Sequence, residues 1–121
     1  MTPLTINVHK KSATLELVYP DVSHELSAEY LRVFSPSAEV KGHGPDQAIL
    51  QFGKKNVHFK DIEPQGNYAL KLIFSDGHDS GIYSWDYLFE LACNQQSNWT
   101  EYLESLKEAG KSRESLFIAV S

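Results

Sequence analysis

Asp76-Gly-His-Asp-Ser-Gly-Ile-Tyr-Ser-Trp-Asp-Tyr-Leu88 reads as a hairpin turn, a short return strand and a helix start. Asp76-Gly77 signals the turn, because glycine supplies the positive φ that tight turns demand. Upstream, Tyr68, Leu70, Leu72 and Phe74 alternate with Ala69, Lys71 and Ile73, the two-residue period of a strand. Downstream, residues 81–83 return as the second strand. Ser84 then fits an N-cap, since its hydroxyl can accept from an otherwise unpaired helix-start amide. Trp85, Leu88, Phe89 and Ala92 follow at i, i+3, i+4 and i+7, one face of a helix.

The same order occurs earlier. Thr14-Leu-Glu-Leu-Val-Tyr19 alternates apolar and polar residues as a half-buried strand, and Pro20-Asp21 turns. Residues 22–26 return, Ser27 fits an N-cap, and residues 28–34 make a short helix with Leu31 and Phe34 on one face. Leu15, Leu17, Tyr19, Asp21, Ser27, Tyr30 and Leu31 correspond to Leu70, Leu72, Phe74, Asp76, Ser84, Tyr87 and Leu88. The later copy is two residues longer between its Asp and its Ser, positions 76 to 84 against 21 to 27. A hairpin-plus-helix unit is thus written twice. Neither copy can bury its apolar face alone, so the two are expected to pair their strands and place both helices on one side.

Between the copies, Ser35-Pro-Ser-Ala-Glu-Val-Lys-Gly-His-Gly-Pro45 is rich in turn formers and reads as a long loop. Residues 48–52 read as a short strand, 53–56 as a turn, and 57–62 as a strand ending at Pro64. Gln65-Gly66-Asn67 turns that strand antiparallel onto the one after it. Residues 5–9 read as a first strand. Near the C-terminus, Asn98 and Glu101 have capping-box spacing, and Trp99, Tyr102, Leu103 and Leu106 form one helical stripe that Gly110 stops. Residues 111–115 are polar. Leu116-Phe-Ile-Ala-Val120 is apolar and β-prone, and reads as an extra edge strand, a docking tail or a crystal contact. The expected fold is α+β over residues 1–121, with residues 111–121 as a tail. A mainly antiparallel sheet is built from two hairpin-plus-helix pseudo-repeats, with the helices packed on it.

A chain of 121 residues fits one domain and can bury a core without disulfides. The net charge of −5 and the pI of about 5.4 argue against a nucleic-acid binder, which needs a basic face. Lys54-Lys55 with Lys60 is too small a cluster to supply one. No apolar run is long enough to span a bilayer, and residues 1–6 lack the pattern of a signal peptide. Cys93 stands alone, so no intrachain disulfide forms, which suits a reducing, cytoplasmic setting. Its helical position points to a buried, hydrophobe-like role.

Motifs for chemistry are absent. There is no Gly-x-x-x-x-Gly-Lys-Ser/Thr, no Gly-x-Gly-x-x-Gly and no Gly-x-Ser-x-Gly. Asp21, Glu63 and Asp76 are scattered turn carboxylates, and turn roles suffice for them. A non-catalytic protein is expected.

The pieces Leu31-Arg-Val-Phe-Ser-Pro-Ser-Ala-Glu-Val40, Gly42-His-Gly-Pro45, Ile62-Glu-Pro-Gln-Gly-Asn-Tyr-Ala-Leu70 and 76–88 together resemble one family. It is the DUF971 family, also called the gamma-butyrobetaine hydroxylase-like N-terminal domain. The resemblance covers roughly residues 12 to 110. It implies a domain that occurs alone in bacteria, at the N-terminus of iron- and 2-oxoglutarate-dependent hydroxylases, and fused to P-loop iron–sulfur carriers. It further implies an accessory role through protein contacts, with such a carrier or an iron enzyme as partner. In the hydroxylases the domain holds structural zinc with a Cys-Pro-Cys-x-x-Cys loop and a distant His. Here the three Cys positions fall on Ser35, Ser37 and Val40, and only the His survives, as His78. Zinc needs about four strong ligands, and neither Ser nor Val replaces a thiolate, so that site is expected to be lost.

Two readings are open for the histidines. His43 and His78 with the carboxylate of Asp76 resemble the ligand set of a mononuclear iron or zinc site, if the Gly42-His-Gly44 loop folds towards the turn. Alternatively both are polar turn residues, one of them bonded to a neighbouring Asp. His9, His24 and His58 read as exposed strand residues. A binding surface, if the loop and turn form one, would use Ser35, Ser37, Gly42, Gly44, Asp79, Tyr83 and Trp85.

Overall fold

The computed structural model describes residues 1–42, 44 and 47–114. Among them the order is β1 (Thr5–His9), β2 (Thr14–Val18), β3 (Ser23–Ser27), α1 (Ala28–Val33), α2 (Ala38–Lys41), β4 (Phe59–Gln65), β5 (Ala69–Phe74), β6 (Gly81–Ser84), α3 (Trp85–Cys93) and α4 (Gln95–Ala109). The fold is α+β, and both copies of the repeat form. Each is preceded by an expected strand: β1 comes before the β2–β3 hairpin as β4 comes before β5–β6. All pairings are antiparallel. The copies stand in two separate three-stranded sheets rather than one. Backbone pairing therefore does not join them, but burial does. Leu15, Leu17 and Leu26 of the first share one core with Leu70, Leu72, Phe74 and Tyr83 of the second. Fully burying each such leucine is worth about 1.5–3 kcal/mol.

The two registers correspond. Leu15 lies opposite Leu26 and Thr14 opposite Ser27, as Leu70 lies opposite Tyr83 and Ala69 opposite Ser84. Each hairpin thus delivers its cap serine at the same place. The Tyr30 amide donates to Ser27 Oγ at 3.0 Å, and the Tyr87 amide to Ser84 Oγ at 3.1 Å. Pro64 is tolerated in β4 because that strand is at a sheet edge.

Several expectations are corrected. Residues 48–52 form no strand. Ile49 donates its amide to the Val40 carbonyl instead, and Ile49 and Phe52 remain 57% and 49% exposed. Helix α4 starts at Gln95, before the expected capping box. Asn98 lies inside it and donates its side-chain amide to the Tyr30 hydroxyl at 3.0 Å. Leu103 is exposed, leaving Tyr102 and Leu106 as the buried residues of that stripe. Cys93 is exposed, because the last residue of α3 falls off the face that carries Leu88, Leu91 and Ala92. His24 is half-buried and packs edge-on against Tyr19.

Helix α1 is buried at every residue, including Glu29 and Arg32. Buried charges need partners. Arg113 supplies one for Glu29 through a two-pronged pair at 2.8 and 2.7 Å. Gly110 makes that reach possible. Its left-handed φ of 66° ends α4, and the chain returns beside residues 53–55, with Gly53 and Lys55 donating to the Ser112 and Arg113 carbonyls. Residues 116–120, the apolar tail of the sequence reading, lie outside the described residues.

Candidate functional site

Beyond α1 the chain enters Ser35-Pro36-Ser37, and Ser37 starts α2 by accepting from the Glu39 amide at 3.2 Å. This loop lies against the β5–β6 turn. Asp76 shapes that turn by accepting from the His78 amide at 3.1 Å, and Gly77 adopts a φ of 92°. His78 is therefore aimed inward, with its side chain only 3% exposed. Its Nε2 lies 2.8 Å from Ser35 Oγ and its Nδ1 3.1 Å from Glu39 Oε2. A carboxylate can only accept, so Nδ1 carries the proton and Nε2 accepts from the Ser35 hydroxyl. Ser35 Oγ in turn accepts from the Ser37 amide at 3.3 Å. Alongside, the Ser37 and Ser80 hydroxyls meet at 2.7 Å.

Burial, reinforced by the Arg32 charge, lowers the His78 pKa, although Glu39 and Asp76 pull the other way. The balance of these effects favours the neutral ring. Asp76 does not join it. Its carboxylate takes Arg32 Nε at 2.8 Å and Lys54 Nζ at 2.7 Å. Burial alone would raise this carboxyl, but the Lys54 hydrogen bond, the His78 amide and Arg32 overcome it and hold the pKa at about 2.

The order Ser35–His78–Glu39 is that of nucleophile, base and orienting acid. The nucleophile, however, is closed off. Ser35 is wholly buried, and a Cβ built on Gly81 would sit 2.7 Å from its Oγ and 3.0 Å from the Tyr83 ring. The Ser35 oxygen is thus packed tightly against β6. In this geometry the relay is a cross-link between the loop after α1 and the turn before β6.

The other expected residues divide. Ser35 and Ser37 are brought to the turn, as described. The side chain of Tyr83 is core rather than surface; its hydroxyl donates to the Leu31 carbonyl and burial raises its pKa. Trp85 is half-buried at the start of α3, with its indole N–H donating to the Asn67 carbonyl at 2.7 Å. Asp79 is exposed. Gly42 caps α2 at a φ of 75°, where a Cβ would collide with the Gln47 carbonyl at 2.1 Å. Gly44 packs near the Gln47 side chain. His43 lies outside the described residues. Among the described residues, no three His, Cys, Asp or Glu side chains gather to hold a metal ion.

The positions where the resemblance places zinc ligands do not fit that ion. Ser35 and Ser37 spend their hydroxyls on His78 and Ser80, and Val40 is buried without a donor atom. Arg32, Glu39, Lys54 and Ser80 were not singled out from the sequence. Their side-chain partners are 19 to 44 residues away, and nothing local marks them.

Three solved structures resemble the chain. One protein with an NMR solution structure is 53% identical, with a TM-score of 0.83 over 98% of this chain and 94% of that one. A second, also solved by NMR, is 46% identical, with a TM-score of 0.77 over 100% and 97%. The third is a crystal structure from Acidithiobacillus ferrooxidans of a protein described as of unknown function in the DUF971 family. It is 36% identical, with a TM-score of 0.62 over 75% of this chain and 92% of that one. No curated protein matches. The family model described as gamma-butyrobetaine hydroxylase-like, N-terminal, matches residues 6–89. With that match over more than half its length, the chain belongs to the gamma-butyrobetaine hydroxylase-like N-terminal family, DUF971.

Proposed function

We propose that this chain is a small non-catalytic accessory module that works by contacting another protein. The observation that carries this reading is the closure of Ser35. The Ser35 hydroxyl is fully buried against Gly81 and committed to His78, so the pair serves as a cross-link. Contact surface is available elsewhere, since Ile49 and Phe52 expose apolar side chains on the irregular segment between α2 and β4. The family resemblance supplies the partner class: a P-loop iron–sulfur carrier or an iron-dependent enzyme. The test is co-purification of the tag-free chain with such carriers from its own genome, compared with an Ile49→Asp/Phe52→Asp double variant. Capture of a carrier by the wild type and its loss in the variant supports the reading. Hydrolytic activity abolished by Ser35→Ala, or stoichiometric zinc or iron lost in His78→Ala, would sink it.

A further inference from the structure

A second feature lies next to this site and points to a ligand of its own. Helices α1, α2, α3 and α4 and residues 48–51 line an open cleft of about 410 Å³. That volume is in the range of small-molecule sites, roughly 300–1,000 Å³. Val33, Val40, Ile49 and Leu50 give it an aliphatic wall. Tyr87 and Tyr102 also line it, but their hydroxyls already donate to the Phe34 and Gln51 carbonyls at 2.5 and 2.8 Å. Ser35 borders it too, yet is fully buried and committed to His78. Among the described residues, the charged groups that line it are Lys41 and Glu101.

These groups differ in how they are held. Lys41 Nζ sits 4.5 Å from the centroid of the Tyr87 ring, a wall of the same cavity. A cation over a ring face is attracted to it and keeps its N–H groups free for an acceptor. Among the described residues, Lys41 has no carboxylate partner and Glu101 has no cation partner. Lys41 comes from α2 and Glu101 from α4; an anionic head is attracted by the first and repelled by the second. We propose that this cavity binds an aliphatic monocarboxylic acid, with its chain against Val33, Val40, Ile49 and Leu50 and its carboxylate on Lys41. This ligand site shares Ile49 with the surface proposed for protein contact, and a titration of the isolated chain with a small acid tests it separately.

The probe is sodium octanoate, titrated into the full chain and followed by methyl NMR, with 1-octanol and octylammonium as matched controls. The expected result is saturable shifts at the Val33, Val40, Ile49 and Leu50 methyls, with octanoate binding more tightly than either control. Lys41→Gln should weaken octanoate about tenfold, the scale of a lost charge-assisted bond, and leave 1-octanol unchanged. Glu101→Gln should leave octanoate as tight or tighter. Lys41 is exposed, so its variant is expected to fold, and an unchanged thermal melt checks this. The proposal is overturned if the shifts fall on other methyls, if octylammonium binds best, or if Lys41→Gln leaves the octanoate Kd unmoved.

Discussion

Ser35→Ala tests the cross-link directly. The hydroxyl makes two bonds, one to His78 Nε2 at 2.8 Å and one from the Ser37 amide at 3.3 Å. Its removal leaves an imidazole nitrogen without a partner on a side chain only 3% exposed. Orphaning a buried polar group costs about 1–3 kcal/mol. The longer bond from Ser37 adds little, so the expected cost stays at about 1–3 kcal/mol. For a domain of this length each kcal/mol moves Tm by about 4 °C, which makes the expected shift roughly 4–12 °C. Urea unfolding at constant m measures the same loss as a change in midpoint. The partner variant His78→Leu should also be costly, because it strands Ser35. The double variant should cost less than the sum, since removing both partners strands neither. Two results refute the reasoning: a Ser35→Ala cost below about 0.5 kcal/mol, or single costs that add to within about 0.5 kcal/mol.

Other consequences are checkable in the same unfolding assay. The folded pKa of His78 is depressed below its ordinary 6.5, so the unfolded chain binds the extra proton first. Its contribution to stability is therefore whole above pH 6.5 and falls away as pH drops through the folded pKa, and this part of the slope should vanish in His78→Gln. Asp76 adds a separate acid loss, present above its ordinary 3.8 and gone as pH passes about 2. Gly81→Ala should destabilise by roughly 1–3 kcal/mol, because its Cβ meets Ser35 Oγ at 2.7 Å; a neutral outcome would mean β6 is looser than described. Arg113→Ala should cost roughly 3 kcal/mol, the low end for breaking a buried pair because Arg113 is 37% exposed, and a midpoint within error of wild type would deny the clamp.

The repeat was legible because its signals are local. A cap serine, a turn glycine and an alternating strand each speak within a few residues, and Ser27, Ser84, Gly77 and the Leu15/Leu17 and Leu70/Leu72 pairs all take the places that pattern assigns. Residues 48–52 misled because an apolar run says nothing about whether a partner strand is near; here the Ile49 amide meets the Val40 carbonyl, and Ile49 and Phe52 stay exposed. Asn98 misled for the complementary reason: its spacing to Glu101 mimics a cap, while its amide is drawn to Tyr30, 68 residues away. The meeting of Ser35 with His78 was visible only through the family resemblance, since 43 residues separate them. The charges on α1 were not legible at all. Glu29 and Arg32 look like solvent-facing helix residues until Arg113 and Asp76 arrive from elsewhere in the chain.

The Glu29–Arg113 clamp also bears on where this domain can be cut. The family pattern ends at residue 89, but the folded body does not. A recombinant fragment trimmed to 6–89 would discard α4 and Arg113 together. Glu29 would keep its place inside α1 with no counter-charge, Val33 would lose Tyr102 and Leu106, and Tyr30 would lose Asn98. Such a fragment is expected to be insoluble even though every family-defining residue is present. For fusions and crystallisation pieces, the autonomous unit runs at least to Arg113.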